Sequence, residues 1–252
     1  MTTFDIILVC AGGLLLIVAA MCVTAATRGE DRLLAIMDTP TSSARDILAI
    51  HRNNGAYGQA CEVAGVIECD ASLSGPLSEQ ACVAYSHTLT WEEWGRPGMF
   101  DKRAGTSELV YRNGGTEFDD RRAATFWVRD ASGRVQVDPI NAELDLQPID
   151  SRYEVVTSSF GDSERRTRRE EKALPLGQQV YVLGYLGERQ GQPIIQRHPS
   201  APAKKFLISY RDEQTLTHSN RLRAALFYFA GGISGSAGVL LIAWRLILLR
   251  GR

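Results

Sequence analysis

IILVCAGGLLLIVAAMCVTAA (Ile6 to Ala26) and AALFYFAGGISGSAGVLLIAW (Ala224 to Trp244) are two uncharged apolar runs, each 21 residues long. Either can cross a hydrocarbon core of about 30 Å as a helix. The stretch between them is polar and mixed, so the chain reads as one domain held between two membrane helices. Met1 to Asp5 carries no Lys or Arg, whereas a cleaved signal peptide begins with a positive segment, so the first run reads as a retained anchor. The second run is followed by Arg245 and Arg250, whose long stems reach from the hydrocarbon boundary to the head groups. The expected organisation is an N-terminal membrane helix within residues 1–26, a soluble domain over 27–223, and a second membrane helix with a short basic tail over 224–252.

Setting aside Asp5, Arg245, Arg250 and Arg252 leaves 25 Lys and Arg against 28 Asp and Glu in the domain, a net charge of about −3. Such a balance argues against a nucleic-acid partner, because affinity for phosphate backbones comes from clustered positive charge. Of five cysteines, Cys10 and Cys22 lie in the first apolar run and Cys61, Cys69 and Cys82 in the domain. An odd number in the domain favours free thiols over a disulfide framework, and no CxxC pair offers a zinc site. Neither a phosphate-binding glycine loop nor a dinucleotide fingerprint nor a zinc-protease helix occurs, so no catalytic residue, metal or cofactor is expected.

Pro40 stops the polar continuation of the first helix. In TPTSSARDILAIHRN, Ser43 followed by Asp46 three residues on has the spacing of a capping box, which predicts a short helix over Ala44 to Arg52. From Ala60 onward the apolar period shortens to two, which predicts short strands at Glu62–Glu68, Ala81–Trp91, Ala123–Arg129, Arg134–Asp138, Gln179–Gly184, Pro193–Arg197 and Lys205–Ser209. LSGPLS (Leu73 to Ser78) and Asp130 to Gly133 are turns between them. Asp212 to Arg223 contains no Gly or Pro and is expected to run as a polar helix into the second membrane helix. The fold class is α+β: a single β-rich domain, partly open barrel or sandwich-like, between two transmembrane α-helices.

TPTSSARDI, EVAGVI, SLSGPLSEQACVAYS, FWVRDASGRVQVDP, LGQQVYVLGYLGE and KKFLIS, in that order and between two membrane helices, resemble the GIDE, or beside-a-membrane, family of membrane ubiquitin ligases. The resemblance runs from Thr39 to about Arg245. It implies that the middle domain senses or docks something near the bilayer. In the family's mitochondrial ligase a cytosolic RING follows the second membrane helix; here Leu246 to Arg252 follow it, and no Cys occurs after Cys82, so the RING is expected to be absent and ligase activity is not carried over.

Two sets of residues stand out as binding candidates. Gly231 and Gly235, and again Ser234 and Gly238, give small-xxx-small spacings that let another helix approach, either the first helix or a second copy in a homo-oligomer. DSERRTRREEK (Asp162 to Lys172) has five positive and four negative side chains, which reads as a solvated loop or helix with internal ion pairs. Its Arg165, Arg166, Arg168 and Arg169 remain available to acidic head groups or a partner. Trp91 and Trp94 cap a strand and pack on the core, or else dip into the membrane interface. Cys82 reads as a core thiol and the four histidines as isolated. Arg28 and Arg32 on the domain side of the first helix favour a cytoplasmic domain, while Arg245, Arg250 and Arg252 beyond the second helix vote the other way and the family's mitochondrial ligase implies a domain in the intermembrane space. The functional expectation is a membrane-anchored sensor or scaffold that binds a protein partner near the bilayer. Its alternatives are a RING-less conjugation subunit and a membrane-perturbing stress or defence effector.

Overall fold

The first apolar run continues without a break into RGEDRLLAIM, and the helix it forms, α1 (Thr3–Met37), runs well past Ala26. The second run lies inside α3 (Glu213–Arg250), whose start is capped by Asp212: its Oδ1 accepts the Thr215 N–H at 3.2 Å, and its carbonyl accepts the Leu216 N–H at 3.0 Å. Both helices contain stretches long and apolar enough to cross a membrane, Cys10–Thr27 in α1 and a stretch within Glu213–Trp244 in α3. The computed structural model describes residues 3–37, 39, 41–54, 57–96, 108–157 and 163–250. These form two units, one made of the terminal segments (Met1–Pro40 and Asp212–Arg252), the other of Thr41–Arg211.

The middle unit is built on a closed barrel. β1 (Ala60–Glu68) pairs with β5 (Phe126–Arg129), β5 with β6 (Arg134–Val137), β6 in parallel with β11 (Gln192–Gln196), β11 with β10 (Gln179–Arg189), and β10 returns to β1. Closure removes every free edge from these five strands. Alternation then decides the interior: Cys61, Val63 and Ile67, Phe126 and Val128, Val135 and Val137, Val180 and Val182 with Ile195 form one buried cluster. β1 changes partner at Val66, which faces Gln179 on one side and Arg129 on the other. The preceding residue has to be glycine, because a Cβ at Gly65 would press into the Arg129 carbonyl and lie 2.9 Å from Val128 Cγ1. β12 (Leu207–Ser209) pairs antiparallel with the first half of β10, and β7 (Glu143–Asp145) pairs in parallel with β12.

Helix α2 (Ala44–Asn54) packs against the barrel, with Ala44 and Ile47 fully buried in its core cluster. The expected capping box is present: Asp46 N–H donates to Ser43 Oγ at 3.2 Å, and Ser43 N–H returns to Asp46 Oδ2 at 3.3 Å. A second cap comes from the β5–β6 turn. Asp130 Oδ2 accepts the Ala44 N–H at 2.7 Å, while its Oδ1 accepts from Ser132 Oγ, Ser132 N–H and Gly133 N–H at 2.7 to 3.0 Å. Partial burial pushes the Asp130 carboxyl up, but these bonds outweigh it and hold its pKa below the usual carboxylate range. A depressed folded pKa means the stabilisation is fully present above the unfolded value near 3.8 and is lost as pH falls through the folded value. We therefore expect Asp130→Asn to flatten the acid limb of the chain's stability profile below pH 4, and Asp130→Ala to cost about 1 kcal/mol at neutral pH. Denaturant midpoints of the detergent-solubilised chain across pH 3 to 7 measure both; an unchanged acid limb in Asp130→Asn would refute the assignment.

Carboxylates also pin the two ends of the middle unit. Glu62, only 1% exposed, accepts from Thr41 Oγ1 at 2.7 Å and Tyr181 Oη at 2.8 Å, and Ser42 N–H donates to the Glu62 carbonyl at 2.9 Å. At the other end Asp145 accepts from Ser209 Oγ at 2.8 Å and from Arg211 at 3.1 Å.

Four further strands form a second sheet: β3 (Ala81–Gly95), β4 (Val110–Ala123), β8 (Gln147–Thr157) and β9 (Ser163–Pro175), in the order β4-β3-β9-β8. Short β2 (Leu73–Ser74) pairs with the start of β3. The charged stretch Asp162 to Lys172 is thus neither solvated loop nor helix from Ser163 onward; it is the central strand β9, and Asp162 lies outside the described residues. It pairs as a strand because β3 and β8 flank it on both sides, so ladder hydrogen bonds replace the apolar alternation that its sequence lacks.

Candidate functional site

β3 and β9 each have a buried half and an exposed half. Near the barrel, Cys82, Tyr85 and Ala173 form a small core of their own, joined by Leu73 and Ile149. Beyond it the four strands continue as an arm whose two faces are largely open to solvent among the described residues. Residues at alternate positions lie on opposite faces.

One face carries His87, Leu89, Trp91 and Glu93 of β3 with Arg169, Thr167 and Arg165 of β9. Here the Arg165 guanidinium lies 5.1 Å from the Trp91 ring centre and reaches Glu117 at 2.9 Å. Glu117 is the extra residue of a bulge: β4 shifts register between the partners of Leu89 and Thr90, so Phe118 and Thr116 are paired while Glu117 is passed over. Phe118 stands edge-on to His87 at 5.3 Å. The opposite face carries Trp94, with Arg166 at 4.3 Å over its ring, Tyr111 edge-on at 5.9 Å, and Glu92 accepting its Nε1–H at 3.1 Å. Arg166 pairs in turn with Glu164 at 2.9 Å, and Arg168 with Glu170 at 2.5 Å. Arg169 sits directly across from Arg152 of β8.

The residues singled out in the sequence therefore converge in part. Trp91, Trp94, Arg165 and Arg166 meet on one arm, as two tryptophan–arginine stacks on opposite faces, while Arg168 and Arg169 continue the same strand. Neither tryptophan belongs to the buried cores. The glycines of α3 are elsewhere, facing α1. A Cβ at Gly231 would lie 3.2 Å from Cys22 Cβ, one at Gly235 3.5 Å from Ala19 Cβ, and one at Gly238 2.9 Å from the Gly12 carbonyl. Ser234 turns its hydroxyl onto its own helix, donating to the Ala230 carbonyl at 2.6 Å.

One residue escaped sequence reasoning. Glu171, 1% exposed, belongs to the charged stretch yet pairs with no cation among the described residues: Oε2 accepts the Leu77 N–H at 2.5 Å and the Ser78 N–H at 3.1 Å, and Oε1 accepts from Ser78 Oγ. It clamps the LSGPLS turn onto β9. The nearby Cys82 thiol is pushed up to about 11, first by burial and then by the Glu171 charge, and Cys61 in the barrel is pushed up to about 12 by burial. Both thiols are thus held protonated at neutral pH. Among the described residues no group of three His, Cys, Asp or Glu is placed to hold a metal ion.

A closed five-stranded barrel carrying a long antiparallel arm, in a chain with two membrane-length helices, defines the architectural class. The model of the GIDE family, described as E3 ubiquitin ligase, matches residues 106–242, from just before β4 into α3, and the chain belongs to that family. No curated protein and no solved structure matches the chain.

Proposed function

We propose that this chain is a membrane-anchored scaffold whose arm docks a protein partner close to the bilayer. The observation that carries this reading is the pairing of Trp91 with Arg165 and of Trp94 with Arg166 on opposite open faces. Trp, Tyr and Arg are the side chains that dominate binding energy at interfaces, and a ring laid under a guanidinium is pre-organised, so little rotamer freedom is lost on docking. Tyr111, Phe118 and Tyr153 add exposed aromatic area to the same arm.

The two helices supply the anchor in this reading. The small-residue face of α3 is taken up by α1 within the chain, which favours a fixed helical hairpin over the alternative of a membrane-perturbing effector built by assembly through α3. The family's description as a ubiquitin ligase favours a second identity for the docked protein, a component or target of ubiquitin-type conjugation.

Affinity purification of the detergent-solubilised full-length chain, followed by titration of the recovered partner, tests the reading. Trp91→Ala and Trp94→Ala, both half-buried on the arm, are expected to weaken the partner by about thirtyfold for whichever face is used, the scale of an interface hot spot. Equal recovery by the parent and both variants would sink the proposal. So would transfer of a group to a substrate by the purified chain alone.

A further inference from the structure

The arm's two outer edges differ in kind. β4 is a guarded edge: it carries Gly114 and Gly115, two register shifts, and six charged residues (Arg112, Glu117, Asp119, Asp120, Arg121 and Arg122). β8 is not. Past the irregularity at Pro148 and Asp150 it pairs continuously with β9 through Thr157, and among the described residues nothing pairs with its other side. Tyr153, Val155 and Val156 are 61%, 46% and 56% exposed there, in a stretch of high strand propensity.

We propose that the β8 edge pairs antiparallel with the β8 edge of a second copy, centred on Tyr153, joining two four-stranded arms into one eight-stranded sheet. Charge selects the occupant and the register. Arg152 lies across from Arg169 within the chain, a like-charge pair that disfavours the sheet, and Glu154 has no ion pair among the described residues. A copy centred on Tyr153 sets its Glu154 directly against Arg152 and, by symmetry, its Arg152 against Glu154. Arg152 already uses Nε on Asp150 at 3.1 Å and Nη2 on the Leu77 carbonyl at 2.6 Å, which fixes the side chain while leaving Nη1 for the new carboxylate. On the other face Tyr153 meets its own copy as a cross-strand aromatic pair. Shifting the centre to Arg152 or Glu154 sets like charges against each other, and centring on Ser151 draws Pro148, which has no N–H, into the ladder. Self-pairing is separate from the docking reading above, which concerns the faces of the arm.

The test uses the full-length chain in detergent and in lipid nanodiscs, with a short bis-maleimide and a single added thiol. Tyr153→Cys is expected to give a crosslinked dimer well above the parent's background, whereas Arg121→Cys on β4 is not. Ser151→Cys and Val155→Cys, which oppose each other in this register, should crosslink when the two variants are mixed and less when each is alone. Glu154→Arg, at an exposed position, should weaken self-association about tenfold by turning two opposite-charge contacts into like-charge ones. Adding Arg152→Glu should restore it, a recovery that a merely misfolded variant would not show. A Tyr153→Cys chain that crosslinks no more than the parent, or no rescue in the double variant, overturns the proposal. So does a purified chain that stays monomeric while Tyr153→Cys captures a different protein in the membrane, since the edge would then take a foreign strand.

Discussion

Replacing Glu171 with alanine is expected to lower the stability of the domain by about 3 kcal/mol and to open Cys82 to thiol reagents. The carboxylate is buried, and its removal strands three donors at once: the N–H groups of Leu77 and Ser78 and the Ser78 hydroxyl. A charged acceptor contributes more per bond than a neutral one, and donors left buried without a partner carry their full desolvation cost. With the clamp gone, the turn over Gly75 to Ser78 loses its tie to β9, and Cys82, fully buried beside Leu73 and Tyr85, becomes reachable. Its thiol would also lose the upward push of the Glu171 charge, which makes the thiolate more accessible at a given pH, although the push from burial persists until the turn moves. Glu171→Gln keeps the volume and one acceptor but aims an NH2 group at donors, so a smaller loss is expected. Mass-spectrometric maleimide labelling reads the outcome residue by residue, with Cys61 inside the barrel as the internal control. A Glu171→Ala chain with unchanged denaturant midpoint and unlabelled Cys82 would show that the clamp is not structural.

How much of this was legible in the sequence depends on where each segment buries its side chains. β1 and β6 are legible because apolar and polar residues alternate along them, so that Glu62–Glu68 and Arg134–Asp138 are expected within two residues of their bounds, whereas β10 is buried on both faces and reads as an apolar run. The capping box at Ser43 and Asp46 is a local signal and was readable for the same reason. β4 and β8 carry no strand signal, and the charged run of β9 reads as a loop or helix, because strands that leave both faces open have no apolar alternation to display. Their state is fixed by neighbouring strands far along the chain, as in Arg166 lying between Glu92 and Val155. Long-range polar partners are the hardest class. Nothing near Glu171 in sequence points to Leu77 or Ser78, and nothing near Asp130 points to Ala44. The family resemblance reached the barrel and both helices, yet the tryptophan–arginine stacks appear only when β3 and β9 are laid side by side.

Leucine at Gly12 or Gly238 is expected to part α1 from α3, whereas leucine at Gly13 or Gly232 should be tolerated. In α1, Gly12, Leu15, Ala19 and Cys22 recur at helical spacing, and in α3 Gly231, Gly235, Gly238 and Ile242 do the same, with Gly12 near Gly238 and Ile242 and with Cys22 near Gly231. The order reverses between the helices, so they form an antiparallel hairpin. A Cβ at Gly12 would lie 2.7 Å from Ile242 Cγ1, and one at Gly238 would lie 2.9 Å from the Gly12 carbonyl and 3.2 Å from Leu15 Cβ. Two of those neighbours are backbone or the base of a side chain and cannot swing aside, so a larger residue has to push the helices apart. Within a bilayer the helices gain nothing from hydrophobic contact that lipid tails would not also supply, so close packing holds the pair together, and overpacking of about 1–3 kcal/mol is a large share of it. At Gly13 and Gly232 a Cβ would meet nothing within 4 Å. The readout is a disulfide between cysteines placed at Ala19 and Gly235, whose Cβ atoms would lie 3.5 Å apart, at the close end of the normal range for a disulfide. In membranes carrying a chain with Cys10 and Cys22 replaced by alanine, mild oxidation should close that bond in the parent and in the Gly13→Leu and Gly232→Leu variants, and fail in Gly12→Leu and Gly238→Leu. Equal yields in all of them would mean that the glycine seam does not hold the hairpin together.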